Sequence, residues 1–370
     1  MDRCVKVCFV VPNHWSYVIG GAQYQVKLLI ERLQNIKKVE IYLIVENVST
    51  KYQAAGYTLF ALNNTSSNSS RFYNSIKLFF QLYKIHPDVI YQRVGCSFTG
   101  ISALYARISG CRFIWNIAHD NDLDLLKNGD QSHNRKYWWD RVMLAMGIHL
   151  ARIIIPQSKE QAEILTRNYH KPKMEPVRNF HPDYPDKKQF LYDFKSLKIL
   201  WIANIRPEKN PDAFIKLAET FVGFPQNIEF LMIGHPSSDI TWQKDLEARI
   251  KTINNLKYLG PKDIEEVNRY IKDAYALVNT SLSEGFPNTF VQAWMRSVPV
   301  ISLNVNPDGA LDGQGIGFHA HNNMTLVQVL KYLVQNPIER IKMGARAYQY
   351  AQKYHSIHNA DLIIKKILLP

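Results

Sequence analysis

The feature that most constrains this 370-residue chain is a rhythm that occurs twice: strand-length apolar runs alternate with helical patterns, the alternation stops, and then it restarts. In the first half, apolar runs stand at 5–11, 41–45, 89–91, 112–117 and 152–156. Helical patterns cover 22–33, a segment from 72, 98–108, 136–150 and 160–168, with a polar loop at 63–70. Segment 179–195, rich in proline and charge, breaks the pattern and reads as a linker. Runs at 199–203, 228–233, 258–259, 276–279 and 300–303 then alternate with helical patterns at 211–221, 241–253, 264–272 and 287–295. The tail, 324–369, is helical with a break near 354–356. Apolar runs bounded by helices mean parallel strands covered on both faces. The expected fold class is therefore α/β, with two doubly wound domains. Such domains bind ligands at the carboxyl ends of their strands, in the cleft between them.

Charge is unevenly placed. The net +13 divides into 23 Lys and Arg against 13 Asp and Glu over 1–178, and 22 against 19 over 179–370. A basic first half suits an anionic partner such as a membrane surface, a lipid diphosphate or nucleic acid, or is a solvated face with no partner. Cys4, Cys8, Cys96 and Cys111 match no zinc spacing and no disulfide framework. Cys4 and Cys8, at an apolar strand, fit buried positions, and a chain of this size needs no disulfides, which suits a reducing cytosol. No stretch approaches a membrane span, and the opening apolar run is too short for a signal peptide. The expectation is a cytoplasmic protein, with or without a peripheral contact at the inner face of the membrane.

The richest stretch for chemistry is 283–294, SEGFPNTFVQAW, directly after the run 274–280. Strand, Gly/Pro turn, then helix points free backbone N–H groups at an anion. Pro287 suits a first helical turn. Glu284 and Gln292 are eight residues apart, and two turns of helix span ~12 Å. The pair is spaced to hold two ends of an extended ligand with a phosphate between them. The plainer alternative is an ordinary strand–helix turn with a satisfied cap.

This stretch resembles the donor-binding signature of retaining glycosyltransferases of family 4, a Glu, seven residues, Glu, with Gln292 in place of the second acid. The likeness extends to 298–309 (VPVISLNVNPDG), 201–215 (WIANIRPEKNPDAFI), His119–Asp120 and 20–33 (GGAQYQVKLLIERL), in the family's order. It implies the GT-B arrangement of two Rossmann-like domains: an acceptor-side domain at 1–180, joined by a last helix at about 356–370, and a nucleotide-sugar domain at 181–355.

The resemblance also implies roles. Glu284 would meet the donor sugar's hydroxyls, with Gly285, Phe286, Pro287, Asn288 and Thr289 around the donor. Gln292 would meet the ribose, still able to accept and donate hydrogen bonds. Lys209 matches the lysine that neutralises the departing diphosphate. Asn204 stands where the family has an arginine, and Arg206 is its expected substitute. His119 matches the active-site histidine. Loop 259–263, with Pro261, would read the base. Gly20 and Gly21 would let backbone approach a phosphate or the acceptor. They form no dinucleotide fingerprint. The stretch 134–141 (NRKYWWDR) is either a membrane-interfacial face or a helix with a buried tryptophan pair.

The expected activity is that of a retaining, metal-independent glycosyltransferase. It would take a UDP- or GDP-linked sugar to an acceptor hydroxyl in cell-surface polysaccharide or glycolipid synthesis. It would need no cofactor beyond the donor, no metal and no nucleic acid, and its acceptor would be a glycan or a lipid-linked molecule. The alternatives are a nucleotide-sugar binding module with impaired catalysis, motivated by Gln292 and Asn204, and a sugar-nucleotide epimerase or hydrolase on the same fold.

Overall fold

The computed structural model describes residues 4–17, 20–49, 52–62, 68–123, 138–183 and 196–369. Residues 63–67 of the expected polar loop, 134–137 of the basic stretch and 184–195 of the expected linker lie outside these. The chain divides into two compact units, Met1–Phe180 with His358–Pro370, and His181–Ile357.

The first unit runs β1 (Val5–Val10), α1 (Gly21–Leu33), β2 (Val39–Val45), β3 (Thr58–Ala61), α2 (Asn68–Ile85), β4 (Val89–Arg93), α3 (Ser97–Ser109), β5 (Arg112–Asn116), α4 (Trp138–Leu150), β6 (Ile153–Ile155) and α5 (Lys159–Tyr169). Its strands form one sheet in the order β3-β2-β1-β4-β5-β6. Every pair is parallel. All five residues of β4 are buried, as a strand covered on both faces requires. Helices α3 and α4 pack backbone to backbone: a Cβ on Gly100 would lie 2.3 Å from the Met143 carbonyl oxygen.

The second unit repeats the plan with β7 (Leu197–Ile202), α6 (Pro211–Thr220), β8 (Ile228–Ile233), α7 (Ile240–Lys251), β9 (Leu256–Tyr258), α8 (Ile264–Lys272), β10 (Ala276–Asn279), α9 (Asn288–Trp294), β11 (Val300–Ser302), α10 (Ala310–Gly313), β12 (Gly317–His319), α11 (Asn323–Gln335) and α12 (Pro337–His355). Its sheet order is β12-β11-β10-β7-β8-β9, also wholly parallel. In both sheets this is the 3-2-1-4-5-6 order of a doubly wound dinucleotide-type fold, with β1 and β7 as the first strands. Side chains of Asp239, Asp263 and Asn322 cap α7, α8 and α11.

The last helix, α13 (His358–Leu368), belongs to the first unit. Arg32 of α1 grips Asp361 with two bonds of 2.5 and 2.8 Å. Arg112 donates to the Ile367 carbonyl at 2.7 Å.

Two strands escaped the sequence pattern, β3 and β12. Both are edge strands of three or four residues, too short for periodicity to register. The expected start of α9 shifts by one. Pro287 is the residue before the helix, with extended geometry, rather than its first turn. Among the described residues no helix is long and apolar enough to cross a membrane.

Candidate active site

In the second sheet β7 and β10 are neighbours, so the loops leaving their carboxyl ends emerge side by side. Four contacts join them. Trp201 Nε1 donates to Thr280 Oγ1, and that hydroxyl donates to the Lys209 carbonyl, each at 2.8 Å. The Leu282 amide donates to the Glu208 carbonyl at 2.9 Å. Lys209 Nζ lies 2.6 Å from Glu284 Oε1, which also accepts from Ser281 Oγ at 2.7 Å. Lys209 is placed by a tight turn, Pro207–Lys209, closed by Asn210 in the left-handed region (φ 48) before α6 begins. The two charged side chains are only 20% and 17% exposed, so the ion pair is stronger than one in open water. Among the described residues no contact reaches Glu284 Oε2, which leaves one oxygen to accept from a hydroxyl.

Around this pair the expected donor residues divide. Gly285 and Pro287 are buried in the turn, and Asn288 and Thr289 are half-buried at the start of α9. That helix has no side-chain cap. Asn288 Oδ1 is 3.1 Å from Nε2 of the buried His181. Phe286 is 3% exposed, its ring against Trp294 and His355, so it anchors the loop in the core and offers a ligand only its backbone. Gln292 is 4% exposed and donates to Asn268 of α8 at 3.1 Å. The side chain expected at the ribose therefore faces a neighbouring helix. Arg206 is 58% exposed, with a loose 3.7 Å pair to Glu208.

Asn204 Oδ1 accepts from the His235 amide at 3.3 Å, tying the ends of β7 and β8. There the structure adds a residue that the sequence pattern did not single out. A Cβ on Gly234 would sit 1.8 Å from the Ala203 carbonyl oxygen, so only glycine lets these strands meet. The Gly234 amide donates to Gly260, whose φ of 69 turns the chain into Pro261 and the 259–263 loop. The available signal was Gly234 directly after an apolar run.

In the first unit His119 follows β5 and is half-buried. Its Nδ1 accepts from the Asn121 amide at 3.0 Å, so in the neutral ring Nε2 carries the proton and can donate. The loop is organised by Asp122, a second residue that the sequence pattern did not single out. Its Oδ2 accepts from the amides of Ala118 and His119 at 3.0 and 3.2 Å. Burial pushes its carboxyl up, and these backbone bonds oppose that. Asp120 accepts from Gln161 at 2.8 Å.

Gly20 precedes α1 in extended conformation, not the left-handed region, and Gly21 opens the helix. Beyond β1 the buried His14 lies between Trp15 and Tyr52, at ring centroid distances of 3.9 and 4.2 Å, with Nε2 3.1 Å from Tyr57 Oη. Burial lowers its pKa to about 4.

Within the stretch 134–141 the two tryptophans part. Trp138 is exposed, whereas Trp139 packs on α2, its ring 4.8 Å from Phe72 and its Nε1 donating to Ser75 at 3.1 Å. On α2 itself Phe72, Tyr73, Ile76, Phe80 and Tyr83 are exposed along one face, 38–60% each. A separate cavity of 990 Å³ lies at the amino ends of β5 and β6, the end opposite His119. Arg107, Arg112, Arg152, Lys173, Lys365 and Lys366 line it with one acid, Glu175.

Residues 185–350 match the family model "Glycosyl transferases group 1". Two curated relatives align over similar lengths. The chain is 26% identical over 159 residues to a glycosyltransferase 1 domain-containing protein of Xenopus tropicalis, covering 42% of this chain and 45% of that one. It is 23% identical over 164 residues to a D-inositol 3-phosphate glycosyltransferase of Corynebacterium efficiens, covering 42% and 39%. The chain thus spans less than half the length of these relatives.

Solved structures resemble it over nearly its whole length. They include a sucrose-phosphate synthase from Thermosynechococcus elongatus (TM-score 0.75, 14% identity, 98% of each chain). HepE of Anabaena, solved with UDP and glucose, has TM-score 0.75 and 14% identity, covering 98% of this chain and 99% of that one. WaaG, a glycosyltransferase involved in lipopolysaccharide biosynthesis, has TM-score 0.76 and 12% identity, covering 98% and 100%. The fold is GT-B, and with the family match over the second unit these likenesses support a GT-B glycosyltransferase.

Proposed function

We propose that the protein is a retaining, metal-independent glycosyltransferase that moves a sugar from a UDP- or GDP-linked donor to an acceptor hydroxyl, in the synthesis of a cell-surface polysaccharide or glycolipid. The observation that carries this is the Lys209–Glu284 pair, 2.6 Å apart inside the segment matched by the family model. Lys209 supplies positive charge for the leaving diphosphate, with exposed Arg206 near enough along the chain to swing in. Glu284 turns its second oxygen to the sugar's hydroxyls. In front-face retention the bond from the anomeric carbon to the diphosphate breaks, the acceptor oxygen bonds to the same face, and its proton passes to the diphosphate. HepE, whose solved complexes hold UDP, glucose and UDP-glucose, is a structural neighbour that fits such a donor.

A thermal-shift screen against UDP, GDP and ADP with their sugar conjugates tests the reading. We expect one nucleotide to raise the melting temperature in wild type and much less in Lys209→Met. Its sugar conjugate, with an acceptor, should then yield a product of unchanged anomeric configuration. No stabilisation by any of them overturns the proposal. A second reading, a binding module without turnover, draws on the buried Gln292. Nucleotide stabilisation without transfer or hydrolysis would select it.

The same reading brings the first unit to a membrane surface, where a lipid-linked acceptor would lie. Helix α2 carries three cations, no acid, and the exposed stripe from Phe72 to Tyr83, the composition of a helix that lies in a lipid interface. Trp138 and Val142 of α4 are exposed as well. Co-sedimentation with anionic vesicles should be strong at low salt, weaken as salt rises, and fall in Phe80→Ser/Tyr83→Ser. Protein that stays in the supernatant at low salt removes the membrane from the reading.

A further inference from the structure

The second unit holds a cluster that the donor chemistry does not use. We propose that Asp312, His319 and His321 form a binding site for one divalent transition-metal ion of the zinc type. One donor atom from each residue lies within 4.8 Å of the other two. A zinc ion bonded at ~2.0–2.2 Å to nitrogen and oxygen spans donors up to about 4 Å apart, so small side-chain rotations close the site.

Three elements bring the ligands together. Asp312 lies on α10, His319 ends β12, and His321 is in the turn before α11. His321 has φ 62, a left-handed geometry that a residue with a Cβ adopts at a cost. The two imidazoles are left in contact, centroids 3.7 Å apart at 46°.

The cluster is also oriented from outside. One oxygen of Asp312 accepts from the His319 amide at 3.1 Å, the other from Asn306 Nδ2 at 3.2 Å. Two imidazoles and a carboxylate suit zinc, cobalt or nickel rather than magnesium or calcium.

The ion is structural. It ties α10 and the turn into α11 to the edge strand β12, and takes no part in the transfer proposed above.

Zinc alone, titrated calorimetrically into the full chain, tests this. The variants are His321→Asn, whose amide side chain tolerates the left-handed backbone, and Asp312→Asn, which keeps an acceptor for the His319 amide. We expect one zinc per chain in wild type, bound roughly tenfold or more tighter than in either variant. Zinc should raise the melting temperature of wild type, chelator should reverse the rise, and neither variant should respond. Metal-free melts of all three proteins should coincide, which separates ligand loss from misfolding. Wild type that takes up no zinc at micromolar concentration overturns the site. So does equal binding by wild type and both variants, because the ion would then sit on other residues.

Discussion

In the second unit the loop after β10 holds Glu284 by its side chain, between Lys209 and Ser281. In the first, the loop after β5 is held through its backbone, by Asp122, and the His119 ring makes one local bond. The sheets share one strand order, so the difference lies in the loops that leave the strands. A paired carboxylate and ammonium are preorganised by each other, and losing either leaves the other partly buried and uncompensated. A ring held by a pinned backbone can be removed without disturbing its surroundings. The comparison therefore separates residues whose loss costs chemistry from residues whose loss costs order.

The largest effect should come from Glu284→Ala. Transfer should fall by ~3 kcal/mol or more of barrier, roughly a hundredfold in rate, with circular dichroism unchanged. Turnover within a few-fold of wild type would place the chemistry elsewhere.

Asp122→Ala sharpens the other side. It orphans the Ala118 and His119 amides, whose residues are only half-buried and so sit at the low end of ~1–3 kcal/mol each; unfolding free energy from denaturant titration should drop by about 2–3 kcal/mol in all. His119→Ala should lower turnover while leaving that stability in place. Equal stability losses in the two variants would erase the contrast.

A similar size is expected from acid. The buried His181, beside Asn288 at the start of α9, has its pKa lowered by burial from 6.5 to about 3. Between those values the unfolded chain binds a proton that the folded chain refuses. Stability therefore rises with pH across this window and is lost as pH falls below 6.5. By pH 5 the loss is about 2 kcal/mol. Melts of wild type and His181→Gln from pH 7 to 5 should diverge by that slope. Parallel curves would mean that His181 titrates normally.

The smallest effect concerns Gln292. Because it donates to Asn268, Gln292→Ala should cost about 1 kcal/mol of stability and leave nucleotide affinity nearly unchanged. A large loss of affinity by calorimetry would restore the ribose role that the family resemblance of 283–294 implies.

Much of this molecule was legible in its sequence. Strands such as β8 and β10 and the helix α8 have the expected limits, because long apolar runs and Asp263 at a helix start depend only on local chemistry. Edge strands β3 and β12 were not legible. A three-residue strand exists only because a neighbour offers it a ladder.

The site divides in the same way. Sequence alone determined that Lys209 and Glu284 stand at strand–helix turns, since glycine, proline and apolar periodicity are local signals. Only the tertiary structure decided that these turns are adjacent, because β10 returns beside β7. It also decided that Phe286 and Gln292 point inward, that Gly234 must lack a side chain, and that His319 and His321 meet Asp312. The physical reason is one of range. Propensity and periodicity act over a few residues, whereas burial and charge pairing act between segments that the chain order leaves far apart.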